Sequence, residues 1–363
     1  MTRRLAAMFV GCSLLAGAVG ACGSSGSQTG ASTTTVSTRG QTVTLLTHDA
    51  FAVSKDVLAD FTRATGIKVK VLKSGDAGAM VNKAILTKDA PLADAIFGVD
   101  NTFLTRAVDE GIFEPRDYSG LTALMPAIRS QFAATERRAV PIDFGDVCLN
   151  DDLDWFARHH VPVPTSLDDL TKPAYKGLTV VENPATSSPG LAFVLATIVR
   201  YGSDGWTRYW TALRHNGVLA VDTWDTAYDS DFTAGGGNGT RPIVVSYASS
   251  PPADIVFADP PKSKPSVGVV LDGCFRQYEF AGVLAHAAHP AAAQQLVEFM
   301  LSRRFQADMP LQMFVWPARA GVPLPTVFRR WAQLPAHPLS MPASEITAHR
   351  DAWIDTWTNV VTG

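Results

Sequence analysis

Alternation of strand and helix patterns over residues 42–111 is the feature that most constrains the fold of this chain. Runs rich in β-branched and apolar residues at 42–47, 67–72 and 92–99 predict strands, and helical segments separate them. The first helix is predicted to begin after Ser54 and to end at Gly66, a capping serine and a terminating glycine. This order predicts a doubly wound α/β sheet with parallel strands.

Polar residues follow each of these predicted strands. They are His48, Asp49, Asp76, Asp100 and Asn101. Ligands of doubly wound sheets bind outside the carboxyl ends of the strands, so these residues are candidate ligand contacts. Asp49, Asp100 and Asn101 have an alternative role as helix caps, whereas Asp76 has fewer features of a cap and is the stronger ligand candidate.

The segment 183–202 joins a polar loop to an apolar helix. Ser188 is predicted to be the N-cap, Pro189 the first helical residue and Gly202 the stop. The helix is too apolar to be exposed, so its start should face something polar. Hydroxyls of Thr186, Ser187 and Ser188 then meet free backbone N–H groups, which suits a phosphate, a carboxylate or a hydroxyl. The alternative is a capped helix that binds only water.

A second region is predicted to begin with the strand at 139–149. Trp224 follows a strand instead of lying on a helical stripe, so it is a ligand candidate. The glycine-rich run 235–239 lacks the context of a nucleotide-binding loop and is predicted to be a hairpin or surface turn. Two separate strands, 267–271 and 275–284, are predicted to return to the first region.

Residues 1–41 are not predicted to belong to the folded part. Two arginines and an apolar run precede Val19, Gly20, Ala21 and Cys22, the pattern of a bacterial lipoprotein signal peptide with lipid on Cys22. The alternative is an ordinary secretory signal cleaved nearby. Residues 22–41 are rich in Ser, Thr and Gly and predict a flexible tether.

Cys148 and Cys274 remain as the two thiols of the processed chain in an oxidising compartment. One pairing is possible, so we predict a disulfide between them; the alternative is two separate buried thiols. A formal charge of −3 over 363 residues gives no electrostatic footprint for nucleic acid.

Several motifs, in order, resemble the substrate-binding proteins of thiamine ABC transporters, within the type II periplasmic binding protein superfamily. The resemblance covers nearly everything from Thr42 onward. It is carried by VTLLTHDAF (43–51), GVDNTFL (98–104), PIDFGDV (141–147), NPATSSPGL (183–191), VSYASSP (245–251), FVWP (314–317) and AHRDAWIDTW (348–357).

The resemblance implies a two-lobed α/β fold, each lobe a doubly wound sheet, with the ligand cleft between the lobes. The expected segments are a signal peptide (1–21), a tether (22–41), lobe 1 (42–145), lobe 2 (146–247), a return to lobe 1 (248–320) and a C-terminal helical segment (321–363). It also implies an extracytoplasmic, lipid-anchored monomer without cofactor or metal. Such a protein delivers thiamine or a thiamine phosphate to an ABC permease.

Thiamine combines a cationic thiazolium with a flat aminopyrimidine, so its site needs aromatic faces and a carboxylate. The ligand contacts that the resemblance implies, together with the strand-end candidates, are His48, Asp49, Asp76, Ala77, Ser187, Ser188, Trp224, Tyr247, Ala248, Ser249, Ser250 and Phe314. His48, Ala253 and Phe314 stand where the family commonly has Tyr, Tyr and Trp, which leaves the preferred form of thiamine open.

Two other functions are compatible with parts of this pattern. Thiaminase I resembles the same fold and uses a cysteine nucleophile with an acidic base, so Cys148 with Glu279 is the enzymatic alternative. The second cysteine and the lipoprotein signal favour a carrier. A same-fold binder of iron, a polyamine or an anion is the other alternative, although only Tyr247 stands where ferric binders pair tyrosines.

Overall fold

The structure is a computed structural model. It describes residues 37–363 apart from Ala134 and Glu136. The predictions for the signal peptide, for lipid on Cys22 and for most of the tether lie outside the described residues.

Twelve α-helices lie in the described part of the chain, and four shorter helical turns accompany them. The helices are α1 Lys55–Thr65, α2 Ala77–Leu86, α3 Leu104–Asp109, α4 Pro126–Ala133, α5 Leu153–His159, α6 Ser188–His215, α7 Pro251–Val256, α8 Pro290–Met300, α9 Arg303–Gln306, α10 Met309–Gln312, α11 Thr326–Trp331 and α12 Ala343–Val361. The turns are the 3₁₀ segments Ser119–Ala123, Leu167–Thr171 and Pro173–Tyr175 and the π-helical Thr226–Asp231.

The strands form one nine-stranded sheet. They are β1 Thr42–Thr47, β2 Lys68–Lys73, β3 Ala95–Asp100, β4 Val140–Asp152, β5 Thr179–Glu182, β6 Leu219–Val221, β7 Ile243–Tyr247, β8 Val267–Val283 and β9 Trp316–Pro317. The order is β2-β1-β3-β8-β4-β7-β5-β6, with β9 paired to β4.

Each end of this sheet is a parallel α/β unit, as predicted. β1 pairs in parallel with β2 and β3, and β5 pairs in parallel with β6 and β7. The two units are continuous through the long antiparallel pair β4 and β8. The two return strands predicted at 267–271 and 275–284 are therefore a single strand, because pairing with β4 resumes after a register shift.

Side chains that alternate along the strands reach cores on both faces of the sheet. Leu45 packs in the core under α1 and α8, whereas Leu46 packs in the core under α2 and α6. In the second core Trp210 of α6 meets Trp357 of α12 edge to face, with ring centroids 5.6 Å apart. Both tryptophans are buried and act as packing residues of this core.

Gly202 breaks α6 with φ of 72° and ψ of 177°, a conformation that favours glycine, and helix resumes after it. The predicted stop is thus confirmed, and a second helical segment follows it after a kink. None of the helices in the described residues is long and apolar enough to cross a membrane.

The predicted disulfide is present. Cys148 of β4 and Cys274 of β8 are bonded, with their Cα atoms 4.4 Å apart and 126 residues between them in sequence. Both residues are buried, and the bond joins the two strands that connect the parallel units.

Candidate functional site

A cavity of about 600 Å³ opens where β1 and β7 end and where α2, α6 and α7 begin. Residues from both parallel units line it, including His48 and Asp76 from one unit and Trp224 from the other. The position agrees with the expectation that ligands bind at the carboxyl ends of parallel strands.

The floor region of the cavity comprises His48 and Glu279, which line the cavity, and the buried Asp143 behind them, which does not. His48 Nε2 lies 3.4 Å from Glu279 Oε1, and Glu279 is paired across β8 and β4 with Asp143. All three are buried. The imidazole packs against Gly98, whose φ of 94° and lack of a side chain leave room for the ring.

The floor residues influence one another's protonation. Burial raises the pKa of Asp143 well above its usual value, and the neighbouring Glu279 carboxyl raises it further. Neither Asp143 oxygen receives a hydrogen bond from an N–H or O–H group, so burial beside the Glu279 carboxyl favours the protonated form of Asp143. Burial lowers the pKa of His48, but its hydrogen bond to Glu279 and nearby acidic charges give a net increase.

Asp76 joins the two units and also caps a helix. Its Oδ1 accepts the Ala77 N–H at 2.8 Å at the start of α2, and its Oδ2 accepts the Trp224 N–H at 3.0 Å. The expectation that Asp76 has fewer features of a helix cap than the other strand-end residues was therefore wrong on this point. Helix α2 begins at Ala77 because Asp76 satisfies its first amide.

At the start of α6, Ser187 occupies the N-cap position and Ser188 is the first helical residue, so the predicted cap is displaced by one. Ser188 Oγ bonds the buried Asp100 carboxylate, which also accepts the Thr102 N–H at 2.8 Å. Burial raises the pKa of Asp100, and the Ser188 and Thr102 hydrogen bonds act in the opposite direction.

Aromatic rings form one wall of the cavity. Trp224 stacks on Tyr228 with centroids 4.9 Å apart, and its Nε1 donates to Ser246 Oγ at 3.1 Å. Tyr247 donates its hydroxyl to Gln277 Oε1 at 2.9 Å. Phe314, at φ of 54°, meets Phe257 edge to face. These rings are held by packing and hydrogen bonds that require no ligand.

The rim of the cavity is the segment 224–236, which carries Trp224, Asp225, Tyr228 and Asp229 and ends in Gly235 and Gly236. Burial raises the pKa of Asp225, and the charges of Asp76 and Asp49 raise it further. Burial and the Asp225 charge raise the pKa of Asp229. These shifts identify a region of accumulated negative charge.

The lining is strongly acidic. Its carboxylates number seven: Asp49, Asp76, Asp225, Asp229, Asp254, Asp259 and Glu279. Lys262 is the one lysine among the described lining residues, and its Nζ lies 2.7 Å from Asp254 Oδ1. The cavity therefore favours a cationic ligand.

Nine of the twelve residues predicted from sequence line this cavity. They are His48, Asp49, Asp76, Ala77, Ser188, Trp224, Tyr247, Ser250 and Phe314. Ser187, Ala248 and Ser249 are fully buried beneath its surface. Asn101, a weaker candidate, holds β8 by accepting the Tyr278 N–H at 2.8 Å.

Several lining residues were not predicted as ligand contacts. Asp225, Tyr228 and Asp229 belong to one helical turn, and the spacing of four between the two aspartates is a signal that could have identified them. The glycine-rich run was predicted to be a surface turn, yet Gly235 and Gly236 reach the cavity. Gly235 packs too closely on the Tyr228 carbonyl for any side chain.

No group of three or more His, Cys, Asp or Glu residues in the described part of the chain is arranged to hold a metal ion. The sulfur of Cys148 is bonded to Cys274, so it is not a free nucleophile while the disulfide is intact.

Comparisons with protein families and with known proteins agree on the kind of protein that this chain resembles. Residues 56–336 match the model of the bacterial extracellular solute-binding protein family. The thiamine-binding periplasmic protein of Escherichia coli (strain K12) is 27% identical over 323 residues, which cover 88% of this chain and 93% of that protein.

Solved structures show the same architecture. A periplasmic thiamin binding protein superposes with a TM-score of 0.76 at 25% identity, covering 88% of this chain and 96% of that one. The apo ferric ion-binding protein A of Pasteurella haemolytica has a TM-score of 0.68 at 17% identity over 88% and 97% of the chains, which shows the fold alone. The chain therefore belongs to the bacterial extracellular solute-binding protein family.

Proposed function

We propose that this protein captures thiamine outside the cytoplasm and delivers it to an ABC importer, held at the membrane by lipid on Cys22. The names of the Escherichia coli relative and of the thiamin-binding structure support thiamine as the ligand. The signal pattern before Cys22 supports the anchor.

The observation that carries the proposal is the combination of aromatic rings with seven carboxylates, Asp49, Asp76, Asp225, Asp229, Asp254, Asp259 and Glu279, in one cavity. Thiazolium is permanently cationic, so it gains from the surrounding negative charge without any proton transfer. Aromatic faces hold flat cationic rings by stacking and cation–π attraction. A cavity of about 600 Å³ also falls in the size range of small-molecule sites.

Each part of the vitamin has a matching group. Trp224 and Tyr247 offer ring faces, and the Asp76 and Glu279 carboxylates offer acceptors for the exocyclic amine or a counter-charge for thiazolium. Hydroxyls of Ser188 and Ser250 line the cavity and suit the hydroxyethyl group. Because Asp76 accepts the Trp224 N–H, it also positions that ring.

Capture requires the two parallel units to close on the ligand. We assign residues 42–145 and 248–320 to lobe 1 and 146–247 to lobe 2, as expected from the resemblance. The strands β4 and β8 run through both units, so bending at these strands is the simplest hinge. The carrier role is favoured over cleavage of thiamine because Cys148 is held in a disulfide.

Calorimetric titration with thiamine tests the proposal. We expect saturable binding of one thiamine per chain, and Trp224→Ala should weaken it by about 1 to 3 kcal/mol because a ring face is lost. Trp353→Ala is the matched control, since Trp353 lies on α12 and does not line the cavity.

Unchanged affinity in Trp224→Ala would remove this ring from the site. Absence of any thiamine binding by the wild-type protein would overturn the proposed function. Release of cleaved thiamine during the titration would support the enzymatic alternative.

A further inference from the structure

The mouth of the cavity carries an exposed aromatic ring, that of Phe257. This residue lines the cavity, and 72% of its surface is nevertheless accessible to solvent. It is the one aromatic residue among the large hydrophobic side chains that the structure exposes within its described part. Exposed apolar surface beside a cavity commonly marks a place of binding. A ring that borders a ligand cavity and also faces solvent lies at the opening, where it can contact a bound ligand.

Helix α7 sets the position of this ring. The helix begins at the buried Pro251 and Pro252, shortly after β7 ends, and Phe257 caps its other end by donating its N–H to the Ala253 carbonyl at 3.0 Å. Residues four apart lie on the same face of a helix, and both Ala253 and Phe257 line the cavity. Because Ala253 has no ring, Phe257 is the aromatic side chain that this face presents to the ligand.

Phe257 rests on Phe314, whose backbone is fixed. Phe314 has a φ of 54°, a left-handed conformation that bulky residues seldom adopt unless their surroundings impose it. Its N–H donates to the carbonyl of Met309 at 3.1 Å, and Met309 is buried in the core under α1 and α8. Beside it, the Met313 sulfur accepts the Ala52 N–H at 3.3 Å. Phe314 therefore offers a fixed surface, which the Phe257 ring meets edge to face with centroids 5.6 Å apart.

Phe257 itself is held less firmly than the inner rings of the cavity. Trp224 stacks on Tyr228 and donates from its indole, and Tyr247 donates from its hydroxyl. The side chain of Phe257 has no polar group, and among the described residues its ring meets one other ring, that of Phe314. Exposed side chains change rotamer within nanoseconds. The Phe257 ring can therefore move aside for a ligand and return, while its support stays in place.

This side of the mouth is apolar, unlike the rim. Asp254, the nearby carboxylate on α7, is committed within the protein, since it accepts the Ser266 N–H at 2.6 Å and pairs with Lys262 at 2.7 Å. The lining residues that accompany the two phenylalanines on their own segments are Ala253, Ala258, Met313 and Val315. A flat ligand gains at such a wall from buried apolar area and ring contact instead of from charge.

We infer that Phe257 is a further ligand-binding residue, whose ring covers bound thiamine at the mouth of the cavity, with Phe314 as its support, and slows the dissociation of the vitamin. The inference rests on the proposed function and deepens it. Thiamine held against the inner rings can leave only when the Phe257 ring moves aside. The effect should therefore appear mainly in the dissociation rate, where most changes at a single binding surface act.

Stopped-flow measurements of tryptophan fluorescence test the inference, because Trp224 in the cavity can report thiamine binding and release. Phe257→Ala should raise the dissociation rate constant of thiamine by about fivefold or more and change the association rate constant by less than about twofold. Calorimetric titration should show a matching loss of affinity. Phe257→Tyr keeps the ring face, so both of its rate constants should stay within about twofold of wild type.

Leu86→Ala is the matched control, since Leu86 is an equally apolar side chain, 85% exposed, at the far end of α2 and outside the cavity lining. Its rate constants should equal those of wild type. The melting temperature of every variant should stay at the wild-type value, because each changed side chain is exposed.

A dissociation rate of Phe257→Ala equal to that of wild type would overturn the inference while leaving the proposed function intact. The same increase in Leu86→Ala, or dissociation from Phe257→Tyr as fast as from Phe257→Ala, would also overturn it. Absence of thiamine binding by the wild-type protein would overturn the proposed function and the inference together.

Discussion

The floor and the rim of the cavity both carry carboxylates, but they hold them in different ways. At the floor, Asp143 and Glu279 are buried on paired strands beside His48, and burial together with the Glu279 carboxyl raises the pKa of Asp143. On the rim, Asp225 and Asp229 lie on one helical turn, and no cationic side chain of the described residues bonds either of them.

This difference indicates that the floor residues mainly stabilise the fold and that the rim residues mainly attract the ligand. A buried carboxyl that keeps its proton contributes little field at a distance, so the main effects of Asp143 are on stability and, through Glu279, on the position of His48. Partly exposed, unpaired carboxylates remain charged and act on a ligand before contact. Changes to the floor should therefore alter unfolding, and changes to the rim should alter binding.

Removal of the disulfide should have the largest effect, and on stability. The bond joins β4 and β8, the strands that carry the floor carboxylates, and it closes a loop with a sequence separation of 126. The variant Cys148→Ser with Cys274→Ser should lose about 4 kcal/mol in chemical denaturation, because its unfolded chain gains freedom.

Thiamine affinity of this variant at a temperature where it is folded should stay within about threefold of wild type, because neither cysteine lines the cavity. If the double cysteine variant lost much of its thiamine affinity but kept its stability, the separate roles of the floor and the rim would be contradicted.

The pH dependence of the free energy of unfolding should show the effect of the buried Asp143 carboxyl. The raised pKa of Asp143 means that the folded protein holds a proton that the unfolded chain releases, so stability falls as pH rises from the usual aspartate pKa to the raised one. Every tenfold difference in proton affinity between the folded and unfolded states corresponds to about 1.4 kcal/mol in the free energy of unfolding.

Asp143→Asn replaces the titrating carboxyl with an amide that does not titrate, and it should flatten this part of the profile, measured as the free energy of unfolding against pH. A profile identical to that of wild type would show that Asp143 does not hold the proton.

Rim charge should appear in the pH dependence of binding. As pH falls, Asp225 and Asp229 are neutralised at higher pH than ordinary aspartates because their pKa values are raised, and His48, with its raised pKa, gains charge. Thiamine affinity should therefore decrease as the pH is lowered, because the cavity becomes less negative. Asp225→Asn should cost about threefold in affinity at neutral pH and reduce this acid dependence.

Asp204→Asn, an exposed residue on α6, provides the comparison for this measurement. Affinity of Asp225→Asn equal to that of wild type at every pH would assign the attraction to other carboxylates.

The sequence patterns predicted the strands and helices around the floor well, because runs of apolar residues along the chain determine where these elements form. The first strand was predicted residue for residue as Thr42–Thr47, and α1 ends at Gly66 as expected. The break predicted in β8 lies at Asp272 and Gly273, a pair that is common in turns. In the structure the register shifts there, and pairing with β4 continues beyond it. Pairing with β4, which cannot be read from the sequence of β8 itself, makes β8 one continuous strand.

The site was predicted in part for the same reason. Trp224 was identified by its position after a strand, and Tyr247, the last residue of β7, was implied by the family resemblance. The contact of His48 with Glu279 depends instead on pairing between β3 and β8 across the sheet. The cap role of Asp76 was missed because the small residues at the start of α2 carry no amphipathic signal. Tertiary packing there, against the Thr186 carbonyl, fixes the helix start.

A crystal structure of the protein grown with thiamine tests the central claim most directly. We expect one thiamine in the cavity, with its rings against Trp224 and Tyr247, its positive charge facing the rim carboxylates and its hydroxyethyl group near the Ser188 and Ser250 hydroxyls. An empty cavity under saturating thiamine, or the vitamin bound away from Trp224 and Asp76, would contradict it.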